Sequence, residues 1–271
     1  MTNALTPGGL SQRARLALLW GATGLAVAAL FATRLPQPRA YHLFADTRTC
    51  LGIPNFTNVS SNLAFVLAGL AGLAWLGSQR GRLVGTRFLE RRELYLYVAF
   101  FAAAIGVGLG SGYYHWAPSN PTLFWDRLPM TLVVAALAGG LAAERFGGRT
   151  GVAVFAVLAL FLPGTLVYWR ASEAAGAENV WPYLAGLNGT LAVVALMVLL
   201  FPSRYTQARH VLIALVLYAV AMLFDTLLDQ WFFSLARIMG GHAFKHIVAA
   251  LSMFWLLWFV LRRRVPRGLL T

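Results

Sequence analysis

Five residues in this 271-residue chain have the types and spacing of a metal-assisted hydrolytic site. Ser111 and His115 are four apart, and so are His242 and His246, so each pair shares one face of a helix. Asp126 follows His115 by eleven positions. Two histidines at i and i+4 can reach one metal ion, and a third from another helix completes a three-histidine set. That set leaves one zinc position open for water, which is the arrangement of a catalytic rather than a structural site. His42 and His210 have no partner at ligand spacing and read as ordinary interface residues.

Holding these residues requires helices, and the composition says in what solvent. The chain is 59% hydrophobic and 11% charged, with a mean hydropathy of +0.67. Soluble domains carry about a quarter charged residues. The single cysteine, Cys50, excludes a disulfide framework within the chain. Eight apolar runs are long enough to be read as spans of a hydrocarbon core about 30 Å thick: residues 16–33, 59–77, 94–115, 124–143, 152–169, 183–201, 211–232 and 242–260. Short Pro, Gly and Arg clusters join them, and no internal repeat is evident. The first run follows Arg13 and Arg15 as a signal peptide would. Its apolar stretch is long for that role and no small-x-small site follows, so it reads as a retained helix.

The net charge of +13 sorts by side: fifteen of the 22 basic residues fall on one set of span ends, and Arg34, Arg39, Arg48, Arg170 and Arg237 on the other. This split places both termini in the cytoplasm. It also excludes a nucleic-acid surface, because no basic helix or groove is formed. His115, Asp126, His242 and the polar stretch from Tyr41 to Asn62 all fall at the non-cytoplasmic ends. Ionisable groups within a bilayer are costly and are functional suspects by default.

Three motifs together resemble the alkaline ceramidase family, part of a superfamily of seven-helix membrane hydrolases. They are Ser111-Gly112-Tyr113-Tyr114-His115, then Trp125-Asp126-Arg127-Leu128-Pro129-Met130, and the late His242-Ala243-Phe244-Lys245-His246. The segment from Pro54 to Asn62 resembles the family's approach to its first helix. The resemblance implies an all-α membrane bundle in which residues 41–271 form a seven-helix domain. Residues 1–40 then form a cytoplasmic tail and an extra transmembrane helix. It implies zinc on His115, His242 and His246, with Ser111 and Asp126 beside the metal-bound water, and a ceramide-like lipid cleaved to a fatty acid and a sphingoid base. A family calcium site carries over poorly. Asp46 matches its first aspartate, but the acidic cluster is missing and Asn55 stands for a glutamate, so Ca2+ is in doubt. Lys245 replaces a tryptophan and Arg127 an acidic residue, which bears on the substrate more than on the metal.

In this reading Asp126 moves the proton from water to the leaving amine, and Ser111 donates to the oxyanion. Asp225 and Asp229, also four apart, read as buried partners for Arg127 or Lys245. Two sharper alternatives are that Asp229 orients a ligand histidine, or that the pair replaces the calcium ligands. The rivals are a receptor-like member of the same superfamily, resembling the progestin and adipoQ receptors, and a transporter using the two aspartates as a proton relay. Arginine outnumbers lysine 21 to 1, a composition that suggests a bacterial inner membrane.

Overall fold

Apolar runs of this length satisfy their backbone polar groups within a bilayer only as helices or closed barrels. The structure, a computed structural model, describes residues 9–79, 81–226 and 228–266 and is built of helices. Arg80 and Arg267, two of the basic residues assigned to span ends, lie outside the described residues. In chain order the helices are α1 (Gln12–Ala29), α2 (Phe56–Ser60), α3 (Leu63–Ser78), α4 (Arg91–Trp116), α5 (Asn120–Phe146), α6 (Gly148–Ala174), α7 (Trp181–Leu200), α8 (Arg209–Thr226), α9 (Asp229–Ala236) and α10 (Gly241–Arg262). A 3-10 turn covers Arg39–His42.

Six helices among the described residues are long and apolar enough to cross a membrane: α2 running into α3, then α4, α5, α6, α7 and α10. The pair α8 and α9 makes a seventh if it is one span, bent by 81° at the break. The sequence reading has eight. It differs at α1, which carries Gln12, Arg13 and Arg15 in its first turn and buries none of its residues. It differs again at 211–232, which hydropathy alone reads as straight. At that break Asp229 engages the start of α10, as described below, and Leu228 N–H bonds the Leu223 carbonyl.

Helix α5 is the hub, packed between α4 and α6 and also touching α7, while α8 leans on α10 and meets α7 only lightly. Large apolar side chains cover the outside, with Phe31 83% and Leu160 79% exposed. A belt of this kind suits lipid contact far better than water.

At the arginine-rich end, two fully buried carboxylates tie the helices together. Glu93 accepts from Tyr205, from Leu89 N–H at 3.1 Å and from Arg204 at 2.8 Å. Glu144 accepts from Tyr97 and pairs with Arg263 and Arg145. Buried ions of this sort persist only when paired and hydrogen-bonded. The opposite end holds the loop before α2 and the candidate site.

Candidate metal centre

Helix α4 must stop near Trp116, because Pro118 disfavours helical backbone in the residue before it. Ser119 then caps α5 with a reciprocal Ser119–Thr122 capping box. This tight reversal stacks the last turns of α4, with Ser111 and His115, against the opening turns of α5, with Asp126. Gly110 permits the approach: a Cβ there would collide with the Trp125 carbonyl and sit 3.5 Å from the Asp126 Cα. Pro129, four residues after Trp125, has no N–H for that carbonyl. Helix α10 enters from the other side, and Gly241 fits it into the α8–α9 bend. A Cβ at Gly241 would lie 2.7 Å from the Asp229 Cα and 2.8 Å from the Phe224 carbonyl.

The result is a buried cluster of His115, His242 and His246 whose candidate ligand atoms all lie within 4.8 Å of one another. The Nε2 atoms of His115 and His242 are 3.3 Å apart. Two nitrogens each ~2.0–2.1 Å from a tetrahedral zinc would be roughly 3.3 Å apart. His246 Nε2 is buried and has no hydrogen-bond partner. The donor set therefore fits a metal of the zinc type by its chemistry, and the His115–His242 pair fits it by spacing.

Surrounding groups select which nitrogens face inward. Asp225 Oδ1 lies 2.7 Å from His242 Nδ1, and Ser61 Oγ lies 2.8 Å from His246 Nδ1. Both contacts favour a proton on Nδ1 and leave Nε2 as the ligand atom. Asp225 also pairs with buried Lys245 at 3.0 Å, and Lys245 Nζ lies 3.2 Å from His242 Nε2. Asp229 reaches backbone instead of a ring: it accepts from His242 N–H at 2.8 Å and from Ala45 N–H at 3.0 Å. It thereby joins the loop to the start of α10.

Ser111 and Asp126 share the chamber. Asp126 lies beside Ser111, close to hydrogen-bonding range, and within electrostatic reach of Lys245, Arg127 and His242. Ser111 Oγ and Asp126 Oδ1 are both buried without a hydrogen-bond partner. Asp46 and Asn55 are not part of the group that could hold the metal. Asp46 is bound by Arg48 at 2.8 Å through both oxygens and by Thr57 at 2.7 Å. Arg48 also donates to the carbonyls of Arg237 and Ile238. Burial opposes ionisation of Asp46, but these hydrogen bonds outweigh it and hold the carboxyl below its usual range. A guanidinium thus occupies the carboxylate that the calcium comparison would use. Asn55 donates to the His115 carbonyl at 2.9 Å and so steadies the end of α4. His42 bridges Tyr114 and Asn120, and His210 packs on Trp255 and Trp258.

Ser61 escaped the sequence reading, since its contact with His246 joins separate elements with no spacing signal, whereas the Asp225–Lys245 pair is one of the partnerships that reading named. Two open pockets lie off the triad. One of about 620 Å³ is at the arginine-rich end beside Arg82 and Arg264. The other, of about 590 Å³, lies between the Arg48–Ser61 region and Ile238–Ile247. The chemistry of the donors, not the size of these openings, marks the site. No protein-family model matches the chain, and no curated protein matches it.

Proposed function

We propose that this chain is a zinc-dependent membrane hydrolase, similar in kind to alkaline ceramidases, that cleaves the amide of a ceramide-like lipid. The observation that carries this reading is the buried His115–His242–His246 cluster, with His246 Nε2 left without a partner and Ser111 and Asp126 adjacent to each other nearby. Unpartnered buried polar groups are expensive, and sites that keep them use them.

Zinc, when bound, would polarise the scissile carbonyl and acidify a water, whose pKa falls from about 15.7 towards ~7 in such sites. Asp126 takes the water proton and returns it to the departing amine. Ser111 donates to the carbonyl oxygen as it gains charge. The products are a fatty acid and an amine, and no redox partner is needed. Asp225 and Ser61 keep His242 and His246 in the ligating tautomer. The light contact between α7 and α8 supports entry of the lipid from the side.

The same reading takes α1 as an eighth, N-terminal span and α8–α9 as one broken span. It puts both termini in the cytoplasm of a bacterial inner membrane and the triad towards the opposite side. Metal analysis of the purified protein, combined with a panel of N-acyl lipids, tests it. Metal at one per chain with amide hydrolysis supports the enzyme. Stoichiometric metal with lipid binding but no turnover supports the receptor-like alternative.

A further inference from the structure

Arg127 is only 4% exposed, yet Nη1 has no hydrogen-bond partner. No described carboxylate lies within ion-pair distance of it. Its guanidinium is instead enclosed by Tyr41, Trp169 and Tyr183, with ring centroids 5.3, 5.0 and 5.0 Å away. The cage is held in place: Trp169 is fully buried and donates Nε1–H to Glu178 at 3.0 Å. Cation–π contact attracts the charge over a ring face but leaves the in-plane N–H donors unused. A buried arginine with an unpartnered Nη1 is suited to an oxyanion, which a guanidinium binds with a planar fork.

This arginine lies within electrostatic reach of Asp126. It follows Asp126 in sequence, and Tyr41 lies within electrostatic reach of Asp126, Arg127, Asp225 and Lys245 together. Asp225 is already committed to His242 and Lys245. Of the two cations here, Lys245 has its ion-pair partner and Arg127 has none among the described residues.

We propose that Arg127 receives an oxyanion carried by the substrate a few bonds from the scissile amide, so that the preferred substrate is an anionic N-acyl lipid such as an N-acyl amino acid. The proposal rests on the lipid-amidase part of that reading and replaces its neutral ceramide-like substrate with an anionic N-acyl lipid. The test compares an N-acyl amino acid with its methyl ester at matched acyl chain, for both hydrolysis and thermal stabilisation of the full-length protein in detergent. The free acid should be hydrolysed about 10- to 100-fold better in kcat/KM, the range expected for hydrogen bonds to a charged group. It should also stabilise the protein where the ester does not. Arg127→Gln should bring both ratios close to one, and Arg127→Lys, which keeps charge but loses the fork, should fall between.

Equal handling of acid and ester by the wild type overturns the proposal, as does a preference that survives in Arg127→Gln. Equal stabilisation by a matched free fatty acid would assign Arg127 to the product carboxylate and also overturn it. Should Arg127→Gln fail to fold, the wild-type comparison still decides. Selective stabilisation by the acid without hydrolysis of either compound supports the anion site and overturns the amidase reading. Hydrolysis of both at equal rates does the reverse.

Discussion

At His242 the ring is held on one side by Asp225 and approached on the other by His115, with Lys245 close to Asp225 and to the ring's Nε2. Asp225→Asn should lower zinc affinity by about 10- to 100-fold, the range for losing a carboxylate behind a ligand histidine. It also leaves Lys245 buried without its counter-charge, which costs about 3–5 kcal/mol. Thermal melts of Asp225→Asn and of Asp225→Asn with Lys245→Met separate the two effects. The double variant should recover stability and not zinc affinity. Asp46 gives a pH prediction. Its folded pKa is lowered, so its contribution is complete above the unfolded value of about 3.9 and is lost as pH falls through the folded one. Protection factors over residues 43–62, corrected for the intrinsic pH dependence of exchange, should fall in acid, and Asp46→Asn should remove that fall. The two i, i+4 pairs were legible in the sequence because helix geometry alone brings their members together. Ser61 was not, as it meets His246 across 185 positions.

Among the helices, the α4–α5 reversal sets the distance between Ser111 and Asp126, and Gly110 sets the reversal. Gly110→Val would drive the introduced side chain into the Trp125 carbonyl and force the helices apart. Turnover should fall about a hundredfold, the usual consequence of a 1 Å misplacement. Zinc content should stay near that of the wild type, because α10 approaches His115 from elsewhere. Loss of zinc together with turnover would instead mean that α4 as a whole had moved. Hydropathy reported which runs are helical, but not that 211–232 is broken. The break depends on Asp229 contacting α10 and Ala45, which are long-range contacts invisible to a local window. Likewise, α1 read as a span of its own, while its polar first turn keeps it outside the six helices that length and hydropathy admit among the described residues.

For the whole molecule, charge asymmetry supplied an orientation that a labelling experiment can check with the native chain. Cys50 is the only cysteine in the sequence and is exposed in the loop before α2. A membrane-impermeant thiol reagent should label it in intact spheroplasts. Labelling that requires lysis would invert the topology. The composition carried the membrane assignment and the end at which the polar residues gather. It carried nothing about Arg127, whose cage is assembled from three separate elements. The central claim is that His115, His242 and His246 hold a catalytic zinc. Its most direct test is zinc per chain, measured with lipid-amide hydrolysis, in purified wild type and in folded His242→Ala and His246→Ala proteins. The account predicts about one zinc per wild-type chain, with zinc and hydrolysis lost together in both variants. Zinc-dependent hydrolysis that survives in either variant would contradict it.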